Sequence, residues 1–245
     1  MIILASDTSS SSGSVALRGL DGETLKEELD SARPHSETLL PAVERILARA
    51  GLNRKDVQAL AVGTGPGAFT GLRVGLATFK AWAAVTGLPL IPVVSLDAVA
   101  MPFLKEGTPV VVLSDARKGE VYAAYYPSLE NGVIPYMQGE VILIPHESVP
   151  YWVSSLNAAD ACFAGTALPL LEEKGLSGYP GGIGGSGTPD ANWILVIAEA
   201  LMSLGRTVDP SGLVPCYVRP PDAKKPASGT IVTRLSDDTG DQTDS

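Results

Sequence analysis

The apolar period of the chain first changes near residue 30, and that change limits the folds open to it. Ile2-Ile3-Leu4-Ala5-Ser6 reads as a short buried strand ending on Asp7. A Ser-rich turn, Thr8 to Gly13, leads into a second strand, Ser14-Val15-Ala16-Leu17-Arg18. Asp21-Gly22 is a hairpin signal, and a more polar third strand, about Glu23 to Leu29, has the character of a sheet edge. From Glu37 to Ala50 the apolar residues fall at Leu39, Leu40, Val43, Ile46, Leu47 and Ala50. This is helical spacing, with Glu44, Arg45 and Arg49 on the other side. Gly51 is a natural stop, and Pro41 fits only in the first turn or at a bend. A buried strand (Ala59-Leu60-Ala61-Val62), a glycine loop, a helix from about Phe69 to Thr86 closed by Gly87 and Pro89, and a strand over Leu90 to Val94 follow.

The order β-β-β-α-β-α-β is the pattern of a ribonuclease-H-like lobe, because a plain dinucleotide domain would alternate from its first strand. A weaker echo begins near residue 110. Val110-Val111-Val112-Leu113-Ser114-Asp115 resembles Ile2-to-Asp7, and Gly119-to-Ala124 resembles Gly13-to-Leu17. A third strand over Glu140 to Ile144, a helix over about His146 to Ser155 and a strand over Ala161 to Ala164 continue the echo. Such duplication builds the actin-like ATPase (ASKHA) superfamily. The expected fold class is therefore α/β, with two ribonuclease-H-like lobes over residues 1–104 and 105–220. The last helix, about 192–204, would pack back on the first lobe, and 221–245 reads as a polar, disordered tail. A chain of 245 residues, 45% apolar, is long enough to bury such cores.

Charge restricts the partners. The net charge is -9, and no run of Lys or Arg exceeds a pair such as Lys224-Lys225. A nucleic-acid surface of its own would need a basic patch, so any tRNA would be held mainly by another chain. Cys162 and Cys216 give neither a disulfide framework nor metal spacing, and Cys162, in an apolar run, is expected to be buried. With no signal segment at Met1 and no membrane-length apolar run, the expected compartment is the cytoplasm.

The densest motif is Gly63-Thr64-Gly65-Pro66-Gly67-Ala68-Phe69-Thr70-Gly71-Leu72-Arg73, which leaves a buried strand and opens a helix. Free N–H groups there favour an anion, making Asp7, Gly63, Gly65, Gly67, Thr70 and Asp115 the candidate nucleotide or anion site. The Gly-Lys-Ser/Thr ending of a P-loop is absent, and the run equally fits a tight turn without a ligand. Asp7 and Asp115 end the first strands of the two lobes, where an aspartate can hold Mg²⁺ through water; Asp115 also fits a plain turn. Gly71 and Gly75, with Ala77, Ala81 and Ala84, form a small-residue face, while Leu72, Leu76, Phe79 and Ala83 form an apolar stripe. Two sides to bury suggest a helix-mediated interface, unless both pack inside the lobe. His35 precedes the first helix, as a cap or a partner contact, and His146 reads as a surface residue at a helix start.

Read together, Asp7-Thr8-Ser9, His35-Ser36-Glu37, the 63–73 run, Asp115-Ala116-Arg117-Lys118-Gly119-Glu120-Val121-Tyr122 and Pro215-Cys216-Tyr217-Val218-Arg219-Pro220 resemble the TsaB/YeaZ family, in order and over nearly the whole chain. The glycine loop is shared with the paralogous catalytic subunit TsaD; the Asp115-to-Tyr122 run is more specific to TsaB. The resemblance implies a subunit that is not catalytic alone but essential to a tRNA threonylcarbamoyltransferase complex. It would bind and activate TsaD, which transfers threonylcarbamoyl from its adenylate to N6 of adenosine 37 in tRNA. A separate synthase makes that adenylate. TsaE, an ATPase, would join the assembly, and tRNA would be met only indirectly. The two helices of the first lobe would carry the partner, and the same face would serve a homodimer. The residues assigned to that interface are His35, Leu39, Val43, Ile46, Gly71, Leu72, Gly75, Leu76 and Phe79. The paralogue's two metal-binding histidines correspond to Ser95 and Val99, so the expected metal is none. No cofactor is expected in the isolated chain, with ATP or ADP and Mg²⁺ confined to the complex. Lys80-Ala81-Trp82 departs from the family's usual Lys-Gly-Leu. Two rival readings remain: a Mg-ATP-dependent small-molecule kinase or ATPase using Asp7, the glycine loop and Asp115, and a metallopeptidase-like protein.

Overall fold

The computed structural model describes residues 1–105, 107–128, 141–156, 158, 160–175, 183–185 and 187–218. In the first lobe β1 (Ile3–Asp7), β2 (Ser14–Arg18) and β3 (Thr24–Glu28) form an antiparallel meander. After α1 (His35–Arg49), β4 (Ala59–Gly63) returns parallel to β1, and after α2 (Phe69–Thr86), β5 (Leu90–Val93) lies parallel to β4. The sheet order is β3-β2-β1-β4-β5.

The second lobe repeats this plan with β6 (Val110–Asp115), β7 (Glu120–Tyr126), β8 (Ile142–Pro145), α4 (Val149–Ser155), β9 (Cys162–Ala164), α5 (Leu168–Glu173) and β10 (Ile183–Gly185). Its order, β10-β9-β6-β7-β8, is that of the first sheet with corresponding strands in corresponding places. Two sheets of this topology make the chain an α/β protein with two ribonuclease-H-like lobes of the actin-like ATPase type.

Helices cover both faces of the first sheet, which is why its central strands read as unbroken apolar runs. Ile2, Leu4, Val15, Leu17, Leu60 and Val62 face α1 and α2. Ile3, Ala5, Ala61, Ile91 and Val93 face the opposite side, where Ala98 and the last helix, α6 (Ala191–Ser203), pack. The small side chains of Ala5, Ala16, Ala59 and Ala61 let α6 approach that face. Polar contacts fix it there: Arg18 grips Glu199 with two parallel bonds of 2.8 and 2.9 Å, and the Ala191 amide donates to Ser14 Oγ at 2.9 Å. The edge strand β3 carries its charges outward, and Glu27 accepts from Arg45 and Arg49 of α1. Exposed pairs of this kind add about 1 kcal/mol or less each.

Between the lobes lies α3 (Ser95–Ala100), a helix the sequence reading omits. Ala98 packs into the core against α6, while Leu96, Val99 and Ala100 pack into the core over β6 and β7. Six residues are too few for a helical period to stand out. The short elements α5 and β10 escape for the same reason. Pro41 lies in the second turn of α1 rather than the first, where it withholds one amide from the ladder. Cys162 is only partly buried because it sits at the first position of β9. Glu140, residues 178–182 and 186 of the glycine-rich loop, and the tail from 219 lie outside the described residues.

Phe79 is fully buried between α2 and the first sheet, so truncating it removes both transfer free energy and packing. Phe79→Ala is expected to lower stability in urea unfolding by about 3–5 kcal/mol with the fold retained.

Candidate functional site

The carboxyl end of β1 is tied into a buried knot. Asp7 is fully buried. Its Oδ1 accepts from the Ser9 amide at 2.8 Å and from Ser9 Oγ at 2.7 Å; its Oδ2 accepts from Ser95 Oγ at 2.6 Å. Ser95 Oγ in turn accepts from the Gly65 amide at 3.0 Å. Burial pushes the Asp7 carboxyl above the usual carboxylate range, and its hydrogen bonds to Ser9 and Ser95 oppose that shift.

The glycine motif serves this approach. A Cβ on Gly63 would overlap Asp7 Oδ2, and one on Gly67 would overlap the Ser9 carbonyl, which accepts from the Ala68 amide at 2.6 Å. On α2, a Cβ at Gly71 would strike the Thr8 carbonyl and one at Gly75 would strike Thr8 Oγ1. Thr8 Oγ1 itself donates to the Gly71 carbonyl at 2.8 Å. The glycines hold α2 against the end of β1.

The expected anion site is thereby redistributed. A cleft of about 210 Å³ opens between the lobes, lined by Ser9, Ser10, Ser11, Gly67 and Ala68 on one side and Ser114, Asp115, Arg117 and Thr166 on the other. Gly67 and Asp115 belong to it. Asp7, Gly63, Gly65 and Thr70 do not line it, because the first three are folded beneath the loop and Thr70 faces solvent on α2. Asp115 also acts as a turn residue: Oδ1 accepts from the Arg117 amide at 2.8 Å, and Lys118-Gly119, both at positive φ, form the centre of the β6–β7 turn. The hydroxyls and the start of α2 could hold an anion, yet the aspartate that would anchor a Mg²⁺ in the first lobe is sealed off.

The nine residues assigned to a partner face also move. Leu39, Val43, Ile46, Leu76 and Phe79 are at most 3% exposed and fill the core of the first lobe, and Leu72, equally buried, lies against Gly65 of the glycine loop. Gly71 and Gly75 face Thr8, and His35 Nε2 donates to the Ser10 carbonyl at 2.8 Å. The apolar period that made these residues conspicuous was the lobe's own core signal. What α1 and α2 expose instead includes Leu40, Glu44 and Ala48 on one helix and Phe69, Thr70, Arg73, Ala77, Ala81, Ala84 and Val85 on the other. His146, expected at the surface, is 5% exposed because its backbone pairs with Gly119 and draws it under the β6–β7 turn; among the described residues neither ring nitrogen has a partner.

Two structural features have no counterpart among the expected elements. Residues 207–218 form a strap along α2: Val208 pairs with Leu90, Leu213 enters the first core, Lys80 Nζ donates to the Leu213 carbonyl, and the Cys216 amide donates to the Thr64 carbonyl at 2.8 Å. Beside it, Tyr126 Oη donates to Asp97 Oδ1 at 2.8 Å, joining α3 to β7. Burial pushes the Asp97 carboxyl up to about 7; burial and the neighbouring Asp97 raise the Cys216 thiol.

Comparison with known proteins bears on this arrangement. The tRNA threonylcarbamoyladenosine biosynthesis protein TsaB of Escherichia coli is 36% identical over 225 residues, covering 89% of this chain and 95% of its own. The protein of that name from Haemophilus influenzae is 32% identical, covering 89% and 94%. The chain belongs to the TsaB/YeaZ family. Among solved structures, YeaZ from Pseudomonas aeruginosa superposes with a TM-score of 0.76 at 32% identity, over 88% of this chain and 99% of that one. A family model described as "TsaD: tRNA N6-adenosine threonylcarbamoyltransferase" matches residues 29–143, so the kinship of TsaB/YeaZ to the transferase runs through the first lobe and the start of the second. Ser95 is engaged in the Asp7 knot, and Val99 is buried between the lobes. Among the described residues, no three His, Cys, Asp or Glu side chains group as a metal site would require. Nor is any helix long and apolar enough to cross a membrane.

Two outcomes test this geometry. Gly71→Ala is expected to cost about 1–3 kcal/mol in urea unfolding through overlap with the Thr8 backbone, while Ala77→Ser, on the exposed side, stays within about 0.5 kcal/mol of wild type. Asp97 sets a pH dependence. Its folded value near 7 lies above the ordinary unfolded value of about 3.9, so the folded state holds a proton the unfolded state lacks between those limits. That contribution is complete below the unfolded value and is lost as pH rises toward 7. Asp97→Asn should therefore gain stability relative to wild type by roughly 1–2 kcal/mol between about pH 5.5 and pH 8. An unchanged difference across that range would show that Asp97 is not the titrating group.

Proposed function

We propose that this protein binds and activates a TsaD-type catalytic subunit for N6-threonylcarbamoylation of adenosine 37 in tRNA, and performs no chemistry itself. The observation that carries the reading is the outer face of α2. One side of that helix is fully occupied by the core and the Thr8 contact, while Ala77, Ala81 and Ala84 leave a shallow exposed surface on the other. Small side chains let a second helix come close, so this stripe suits a helix from another subunit. The same face would serve self-association, making a homodimer and the complex with the catalytic subunit mutually exclusive. A TsaE-type ATPase would join the assembled pair. The net charge of -9 argues that tRNA is gripped by the partner, in the cytoplasm where tRNA is modified.

A second reading, an ATP-dependent kinase or ATPase, draws support from the interlobe cleft, where hydroxyls and the start of α2 meet Asp115. It requires a metal-facing Asp7, and Asp7 has both carboxylate oxygens committed to Ser9 and Ser95.

Reconstitution separates the two. Purified TsaD-type and TsaE-type subunits and the adenylate synthase, with tRNA, ATP, threonine and bicarbonate, are expected to form modified adenosine only when this protein is added. Ala77→Arg, which leaves the core untouched, should abolish that stimulation. Equal product without the protein would refute the subunit reading, and ATP turnover by the isolated chain would favour the second.

A further inference from the structure

One arginine of the first lobe has no counter-charge among the described residues. Arg73, exposed at the second turn of α2, holds its Cζ 3.8 Å from the ring centroid of Phe69. Phe69 lies 5.5 Å, centroid to centroid, from Tyr217 at an interplanar angle of 34°. Arg73 Nε reaches toward Tyr217 Oη at 3.4 Å, too long for more than a weak bond. Phe69 and Tyr217 are each 43% exposed. Six other arginines of the described chain pair with a carboxylate, whereas Arg73 enters no ion pair among the described residues. Among the described residues, a guanidinium laid on an aromatic face and paired with no carboxylate is a distinct arrangement.

The stack is ordered before anything binds. Tyr217 belongs to the strap whose Leu213 is buried in the first core and whose Cys216 amide is bonded to Thr64. Phe69 is the first residue of α2. A guanidinium stacked on a ring keeps its in-plane N–H donors, which fit a carboxylate in a forked pair. Arginine and tyrosine, pre-positioned beside an apolar surface, are the residue types that carry most of the energy of protein interfaces. The exposed Ala77 and Ala81 continue the surface one and two turns along the helix.

We propose that Arg73, stacked on Phe69 and flanked by Tyr217, is the anchor that receives a carboxylate side chain of the TsaD-type subunit docked on α2. This rests on α2 being the docking helix and adds the chemistry of the contact, together with a role for the C-terminal strap in shaping it. A tRNA phosphate offers similar chemistry. Nucleic-acid affinity, however, grows with the number of phosphates neutralised, and one cation on an acidic chain supplies little of it.

The test is calorimetric titration of the full-length protein with the TsaD-type subunit from the same organism. Arg73→Ala is expected to weaken binding about tenfold or more, Arg73→Glu to abolish it, and Tyr217→Ala to weaken it less. Raising NaCl from about 50 to about 500 mM should weaken wild type more than Arg73→Ala. Unchanged thermal melting of the variants confirms that folding is intact. Binding by Arg73→Ala within about twofold of wild type, with Ala77→Arg abolishing it, would overturn the anchor and leave the docking helix standing. No effect of either substitution would refute both. A loss of tRNA binding rather than subunit binding in Arg73→Ala would assign the site to phosphate and overturn the proposal.

Discussion

At the carboxyl end of β1 three stretches of backbone come close enough to share one buried carboxylate. Asp7 collects hydrogen bonds from Ser9 and Ser95, and Ser95 passes one on to the amide of Gly65. A carboxylate removed from water is costly unless its lone pairs are satisfied, and here its neighbours satisfy them. The cost dictates what may surround it. Position 63 must lack a side chain, the loop after β4 must fold over the loop after β1, and α3 must begin where Ser95 can reach. Because α3 also packs into the cores of both lobes, the knot fixes the junction on which the interlobe cleft is built.

The same close packing explains why α2 has two characters. Its glycine side is pulled against Thr8 and its leucine and phenylalanine side fills the core, so the helix is fully supported from within. Its outer side is left with alanines and an aromatic–arginine cluster held by the strap. A helix fixed on one side and shallow on the other loses little freedom on binding a partner. The aspartate that ends β1 thus serves as a buried hydrogen-bond acceptor, and the glycine loop serves as a packing device.

Most of the fold was legible because its signals are local. The meander over residues 3–28, the helical period of α1 and α2, and the echo from Val110 to Tyr126 depend on short-range pattern, and each element is found there. The six-residue α3 was not legible, since one and a half turns leave no period. The site was read less well, for a physical reason. Period identifies apolar residues but not which layer they meet, so Leu76 and Phe79 looked like an interface while serving the core. Glycine spacing likewise shows that something approaches closely, without telling a ligand from the chain's own Thr8 and Ser9. Tyr217 and Ser95 act through contacts with residues 144 and 88 positions away, a range at which sequence pattern is silent.

The central claim is that Asp7 is sequestered for structure and holds no metal-nucleotide. Titrating the isolated protein with ATP and Mg²⁺ in a calorimeter addresses it most directly. The account predicts no saturable binding that depends on Asp7. Micromolar affinity that Asp7→Asn abolishes, in a variant that still folds, would contradict it.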